Sequence, residues 1–287
     1  MLDVNSKILW LADYNLSEAP GGAQRSDKMI IDQGKLLGYN ILKVTHNEIN
    51  DKLDIDSFDV VISSNIHALT MIRKDLIDKI SKHKCHIRLE HDSNEYLDQE
   101  DRIKLFSNCH KTIFLSDFHL RFFKDFYGDI FKNIEIIYDP IDSLLFTDLK
   151  NKREEKILFA GYLHPLKGAY EFFEYALQNK NKQFVVAGWP LNDVIKHLLS
   201  SIPNIEYLGL VDYSQMPFVY NKYKYMFYTP NLNEPFCRSV AEAVLCGMKI
   251  FTNSKDRIGC LLEMEKYGID DFREKCNYSA LKFWQTI

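Results

Sequence analysis

Residues 156–168 read KILFAGYLHPLKG, an apolar run followed by a glycine, a proline and a Lys-Gly pair. The first five residues have the β-branched and aromatic weighting of a strand apolar on both faces, as in a parallel sheet covered by helices. Gly161 then predicts a turn at the strand's carboxyl end, where open α/β sheets bind their ligands. Lys167 offers a mobile point charge suited to phosphate, although a solvated lysine before a glycine has the same local pattern.

Working outward, the same unit recurs on both sides. KILWLADYN (7–15), FDVVISS (58–64), CHIRLEH (85–91), KTIFLS (111–116) and IEIIYD (134–139) are strand candidates before it. QFVVAGW (183–189), IEYLGL (205–210), YMFYTP (225–230) and KIFTNS (249–254) follow it. Helix-like periodicity separates them, as in SDKMIIDQGKLLG after the first strand, so the fold class is α/β with doubly wound parallel sheets. The charged stretch DLKNKREEK (148–156) lacks apolar periodicity and marks a boundary. The expected division is a Rossmann-like domain over 1–150, a second over 151–270, and a C-terminal helix over 271–287 packed on the second domain.

Bulk properties narrow the function. The 287 residues are 46% hydrophobic and 26% charged with a net charge of −4, which gives no general nucleic-acid footprint. Six scattered cysteines form no CxxC and suit free thiols in a reducing compartment. The N-terminus is too short and charged for a signal peptide, and no apolar run approaches the roughly 18 residues of a membrane span. These features predict a cytoplasmic protein. ALTMIRKDLIDKISKHK (68–84) reads as one lysine-bearing helix with a solvated face, and a peripheral membrane contact is the second reading. Asp54-Ile55-Asp56 has DxD spacing but precedes a strand, so it reads as an acidic loop rather than a metal site.

Two loops and one histidine carry candidate chemistry. In PGGAQRS (20–26), the amides of Gly21, Gly22 and Ala23 open a helix and can face an anion, while the pattern also fits a plain strand–helix turn. In NEPFCRSVAEA (233–243), Glu234 and Glu242 lie eight positions apart. A continuous helix would separate them by about 12 Å. That exceeds the roughly 5–9.5 Å of a glycosidase pair. Pro235 instead places Glu234 on a loop and starts a helix at SVAEAVLCG. The amides of Phe236, Cys237, Arg238 and Ser239 then form an anion cradle with Glu234 and Glu242 on either side, suited to a phosphorylated polyol. An ordinary helix-start acid and a solvated face remain the alternative. His91 ends CHIRLE and begins the loop HDSNEY, as a ligand-facing or a structural histidine.

In order, ILFAGYLHPLKG, VVAGW, IEYLGLV and PNLNEPFCRSVAEAVLCG resemble the C-terminal half of GT-B glycosyltransferases of the retaining family 4 type. GGAQRS, FLSDFHLRFF and IEIIYDPIDSLLF resemble that family's first half more loosely, and ALKFWQTI resembles its closing helix. The resemblance implies two Rossmann-like domains with parallel sheets facing across a cleft, 1–150 as the acceptor domain and 151–270 as the nucleotide-sugar donor domain, and sugar transfer from a nucleotide-diphosphate sugar, with retention and no metal or other cofactor. It implies Glu234 at the donor-sugar hydroxyls, Glu242 at the ribose, and Lys167 with the Phe236–Ser239 amides at the diphosphate. Gly161 would turn the chain beside them, Gly21 and Gly22 would close from the first domain, and His91 would line the reaction centre. The acceptor would be a glycan, a lipid-linked sugar or another hydroxyl compound, and nucleic acid stays open.

Three positions depart from the family pattern. Its Arg is Tyr162, the Glu before its KG is Leu166, and its Gly after E-x-F is Cys237. Arg238 is expected to replace the lost charge, so that Arg238→Ala weakens catalysis. A sugar-nucleotide-binding protein without activity and a GT-B epimerase are the competing readings.

Overall fold

The computed structural model describes residues 2–93 and 99–287, so residues 94–96 of the loop HDSNEY lie outside the described residues. The chain forms two compact units, Met1–Pro140 together with Lys275–Ile287, and Ile141–Glu274. Among the described residues no helix is long and apolar enough to cross a membrane.

The first unit runs β1 (Lys7–Ala12), α1 (Gly22–Leu36), β2 (Asn40–Val44), β3 (Val60–Ser64), α2 (His67–Ile72) and α3 (Asp75–Lys82). It continues with β4 (His86–Leu89), α4 (Gln99–Asn108), β5 (Lys111–Phe114), α5 (Asp117–Tyr127) and β6 (Ile134–Ile136). Its described strands form one parallel sheet in the order β2-β1-β3-β4-β5-β6. Ile8, Leu9, Trp10 and Leu11 are all fully buried, which is why β1 reads as a continuous apolar run rather than an alternating one. Leu9, Leu11, Val61, Leu69 and Ile80 pack one core cluster, and Phe106, Phe114, Phe123 and Phe131 another.

The second unit runs β7 (Glu154–Leu163), α6 (Ala169–Gln178), β8 (Phe184–Pro190), α7 (Asp193–Ser201), β9 (Ile205–Gly209) and α8 (Met216–Lys222). Then come β10 (Tyr223–Phe227), α9 (Arg238–Leu245), β11 (Lys249–Phe251) and α10 (Gly259–Tyr267). The last helix, α11 (Ile269–Thr286), begins in this unit and ends in the first. The sheet order is β11-β10-β7-β8-β9, again parallel. Its core joins Phe159, Phe172, Phe184, Val186 and Phe227 between the sheet and α6 and α7.

Both sheets reverse direction beside their first strand. In the first unit the chain steps outward from β1 to β2, then crosses to β3 on β1's other side. In the second it steps from β7 to β8 to β9, then crosses to β10 on β7's other side. Each reversal opens a crevice at the strands' carboxyl ends, the place where open α/β sheets accept ligands.

Three sequence expectations change here. The chain does not turn at Gly161, because β7 runs on to Leu163 with Gly161 paired to Gly188. A Cβ at Gly188 would lie 1.8 Å from the Gly161 carbonyl oxygen, so glycine there serves close strand contact. Stretch 68–84 is two helices, broken where Arg73 turns to pair with Asp51 and Asp75 at 3.3 and 2.7 Å. The end of α11 packs on the first unit rather than the second: Trp284 stacks on Tyr39 and donates to the Ile30 carbonyl at 2.7 Å.

Candidate active site

In the second unit the crevice is built from the exits of β7 and β10. After β7, the His164 ring accepts the Leu166 amide at 3.1 Å and starts a single 3-10 turn, Pro165–Lys167. Gly168 ends that turn at φ +85, where a Cβ would lie 2.2 Å from the Thr229 carbonyl oxygen. Only glycine lets the two exits approach so closely. The approach sets Lys167 beside the segment that follows β10. There the Lys167 ammonium donates to Glu234 Oε1 at 2.6 Å, and the Tyr228 hydroxyl donates to the same oxygen at 2.5 Å. Burial above all pushes the Tyr228 phenol well above its ordinary pKa, so it remains a donor.

Glu234 is 5% exposed and its main chain is pinned. Its amide donates to the Arg257 carbonyl and its carbonyl accepts from the Gly259 amide, a parallel bridge to the segment before α10. Pro235 and Phe236 carry the chain to α9, with the Phe236 ring stacked on Phe272 at 5.7 Å. Cys237 caps α9 at φ 70, a left-handed conformation, and makes no side-chain cap bond. Burial and the Glu234 charge push the Cys237 thiol up to about 12, which leaves it un-ionised and unsuited to nucleophilic attack.

Arg238 and Glu242 form a pair one helical turn apart on α9. Arg238 Nε donates to Glu242 Oε1 at 2.9 Å, and the Tyr213 hydroxyl donates to the same oxygen at 2.9 Å. Arg238 Nη2 donates to Tyr213 at 2.9 Å, closing a triad in which Arg238 and Glu242 are buried and Tyr213 half-buried. The guanidinium has Glu242 and Tyr213 among its partners. Ser239 follows on α9, half-buried. Tyr162, at the family's arginine position, stacks on Trp189 with ring centroids 5.4 Å apart.

The other candidates belong to the first unit. Gly21 caps α1 and Gly22 begins it, with no side-chain cap bond. Four residues on, α1 turns Ser26 and Asp27 inward. Ser26 donates to Asp139 at 2.6 Å, and Ser64 donates to Asp27 at 2.7 Å. His91 lies two residues past β4, buried between these acids: Nε2 is 3.4 Å from Asp27 and Nδ1 3.7 Å from Asp139. Burial alone would lower its pKa, but the hydrogen bond and charge of Asp27, with Asp139 and Asp92, raise it above the ordinary value. Asp54 accepts the Asp56 amide at 3.2 Å as a turn cap, in keeping with an acidic loop.

A sequence model described as "Glycosyl transferases group 1" matches residues 141–269, nearly the whole of the second unit. That unit is a group 1 glycosyltransferase domain. A Klebsiella pneumoniae protein described as an uncharacterized 42.6 kDa protein in cps region is 26% identical, over 83% of this chain and 68% of that protein. Sucrose-phosphate synthase from Thermosynechococcus elongatus superposes with a TM-score of 0.71 at 12% identity, over 97% of this chain and 98% of that one. Anabaena HepE, solved with UDP and glucose, gives 0.65 at 16% identity, over 91% and 83%. At these identities the likeness fixes the fold, which is GT-B.

Within the group 1 domain the structure brings Lys167 and Glu234 together and keeps Glu242 with Arg238. Sequence reasoning missed Tyr228 and Tyr213, whose hydroxyls orient the two glutamates. The Cys237 position adopts a positive φ that glycine takes without strain, which accounts for the glycine of the family pattern there and not for the cysteine.

Proposed function

We propose that this chain transfers a sugar from a nucleotide-diphosphate sugar to a hydroxyl acceptor, with retention and without a metal. The group 1 domain makes it a glycosyltransferase. The observation that carries the finer reading is the Lys167–Glu234 pair, 2.6 Å apart at the β7/β10 crevice and adjoining the first turn of α9. Glu234 holds donor-sugar hydroxyls, Lys167 turns its ammonium to the diphosphate, and the amides of Phe236 to Ser239 add their dipoles. Gly161 keeps β7 close to β8 at the crevice floor. Glu242, oriented by Arg238 and Tyr213, takes the ribose. In the first unit, Gly21 and Gly22 begin α1 on the side proposed to meet phosphate, and His91, between Asp27 and Asp139, lines the reaction centre. As the anomeric C–O bond breaks, charge develops on phosphate, and fixed positive groups lower that barrier.

The test is incubation with UDP-, GDP- and ADP-sugars, following nucleoside diphosphate release with and without acceptor. One donor should turn over, its rate should survive chelator, and the product should keep the donor's anomeric configuration. An inverted product refutes retention. The Tyr162–Trp189 stack in place of a cation favours one rival, a donor-binding protein without activity, which would show stabilisation by a donor and no turnover with any acceptor.

A further inference from the structure

Lys167, proposed to meet a diphosphate, is already engaged. Glu234 Oε1 takes two donors, the Lys167 ammonium at 2.6 Å and the Tyr228 hydroxyl at 2.5 Å. Both meet the same oxygen, so neither competes with a ligand hydroxyl for Oε2. To reach a phosphate, the ammonium has to leave a carboxylate whose side chain is 6% exposed. Stripping a buried carboxylate of its counter-charge is strongly unfavourable when nothing else holds it. That penalty would weaken any diphosphate that draws Lys167 away.

The two donors differ in how readily they can move. The Lys167 side chain is 34% exposed and hangs on a single 3-10 turn. Its four-carbon stem can swing the ammonium without moving the main chain. Tyr228, directly past β10, is 3% exposed. Its amide donates to the Phe251 carbonyl at 3.0 Å, and its ring lies beside fully buried Phe159, with centroids 6.4 Å apart. Its hydroxyl also meets the Cys237 side chain at the cap of α9. A hydroxyl at the end of a buried, pinned ring cannot follow the ammonium outward. Its bond to a carboxylate is charge-assisted and stronger than one between neutral groups.

We propose that Tyr228 is a positioning residue for an exchange of partners: Lys167 leaves Glu234 for the donor diphosphate, and the Tyr228 hydroxyl holds the Glu234 carboxylate in place. The exchange rests on the sugar-nucleotide reading above. Tyr228 itself stands outside every stretch that resembles the family.

Tyr228→Phe removes the hydroxyl and keeps the ring. The carboxylate then depends on the ammonium and holds it back from phosphate, so the variant loses diphosphate affinity through Glu234. Glu234→Gln removes the charge that holds Lys167, and with it the need for Tyr228.

The experiment is calorimetric titration of the full chain with UDP, GDP and ADP, using wild type, Tyr228→Phe, Glu234→Gln and the double variant. The nucleoside diphosphate that binds wild type should bind Tyr228→Phe at least about tenfold more weakly, the loss of one hydrogen bond to a charged group. Glu234→Gln should bind it at least as tightly as wild type, because its ammonium is already released. In that background Tyr228→Phe should change affinity by less than about twofold, whereas a hydroxyl needed only for packing would cost the same in both. Equal losses in the two backgrounds, or none in either, overturn the exchange. So does weaker binding by Glu234→Gln, which decides alone if Tyr228→Phe does not fold. If wild type binds none of the three nucleotides, the sugar-nucleotide reading falls and the exchange with it. Binding by wild type without the coupling refutes the exchange alone.

Discussion

Each sheet reversal has a buried carboxyl group past one of its two strands, and the two are surrounded differently. Glu234, past β10, has an ammonium at 2.6 Å and a phenol hydroxyl on the same oxygen. Asp13, past β1, has a main-chain amide and a guanidinium committed to another acid. The first arrangement supplies its own counter-charge; the second leaves burial in control and lifts the carboxyl to about 6. A shared topology thus provides one crevice with fixed charge and one whose charge answers to pH.

Removing the private cation attacks that contrast most directly. Lys167→Ala leaves Glu234 buried without its ammonium and strips the proposed diphosphate site. Nucleoside diphosphate release should fall at least about 100-fold in kcat/KM. A variant within a few-fold of wild type would mean that the pair is structural only. Gly168→Ala forces the β7 and β10 exits apart, because the new methyl meets the Thr229 carbonyl and the residue keeps φ +85. Urea unfolding should show a loss of about 3 kcal/mol. An unchanged midpoint would show that the close approach is dispensable.

The pH dependence sharpens the other side of the comparison. Asp13's folded pKa, about 6, lies above its ordinary 3.8. Its stabilising contribution is complete at low pH and is lost as pH rises through about 6. Asp13→Asn removes that loss, so above this window the variant should be more stable than wild type by on the order of 2 kcal/mol. Thermal unfolding of both proteins from about pH 4 to about pH 8 measures the difference, and a constant offset would contradict it. His91, raised above its ordinary value by Asp27 and Asp139, runs the same way in a higher window. Its contribution is full below about 6.5 and fades above. The smallest effect belongs to Cys237→Gly, which relieves the left-handed strain at the cap of α9. Stabilisation of about 0.5–1 kcal/mol is expected in the same unfolding assay, and a loss would show that the buried thiol's packing outweighs the strain.

Much of this was readable from local pattern. Strands buried on both faces announce themselves as apolar runs, and all but β2 of the described strands were marked that way. NILKV at β2 escaped because it is an edge strand with alternating exposure, too polar to stand out from the loops beside it. The Lys167, Glu234 and Glu242 positions were legible because glycine and proline punctuate them. Asp13 was not, since its burial arises from a crossing between β1 and β3 some fifty residues apart in sequence. Arg88 left a trace that went unused: a guanidinium inside the four-residue strand HIRL must find a buried acid, and Glu90 is two residues on.

The Trp284 contact has a consequence for biosynthesis. Its indole donates to the Ile30 carbonyl across 254 positions of chain, and its ring occupies the space a side chain at Gly34 would need. Gly34 and Ile30 leave the ribosome early, yet the ring that covers them follows about 250 residues later. At ordinary elongation speeds that interval is roughly 10–50 s. From the emergence of Pro140 until that ring arrives, the newborn first unit carries an open indole-sized gap, a window in which a chaperone has something to hold.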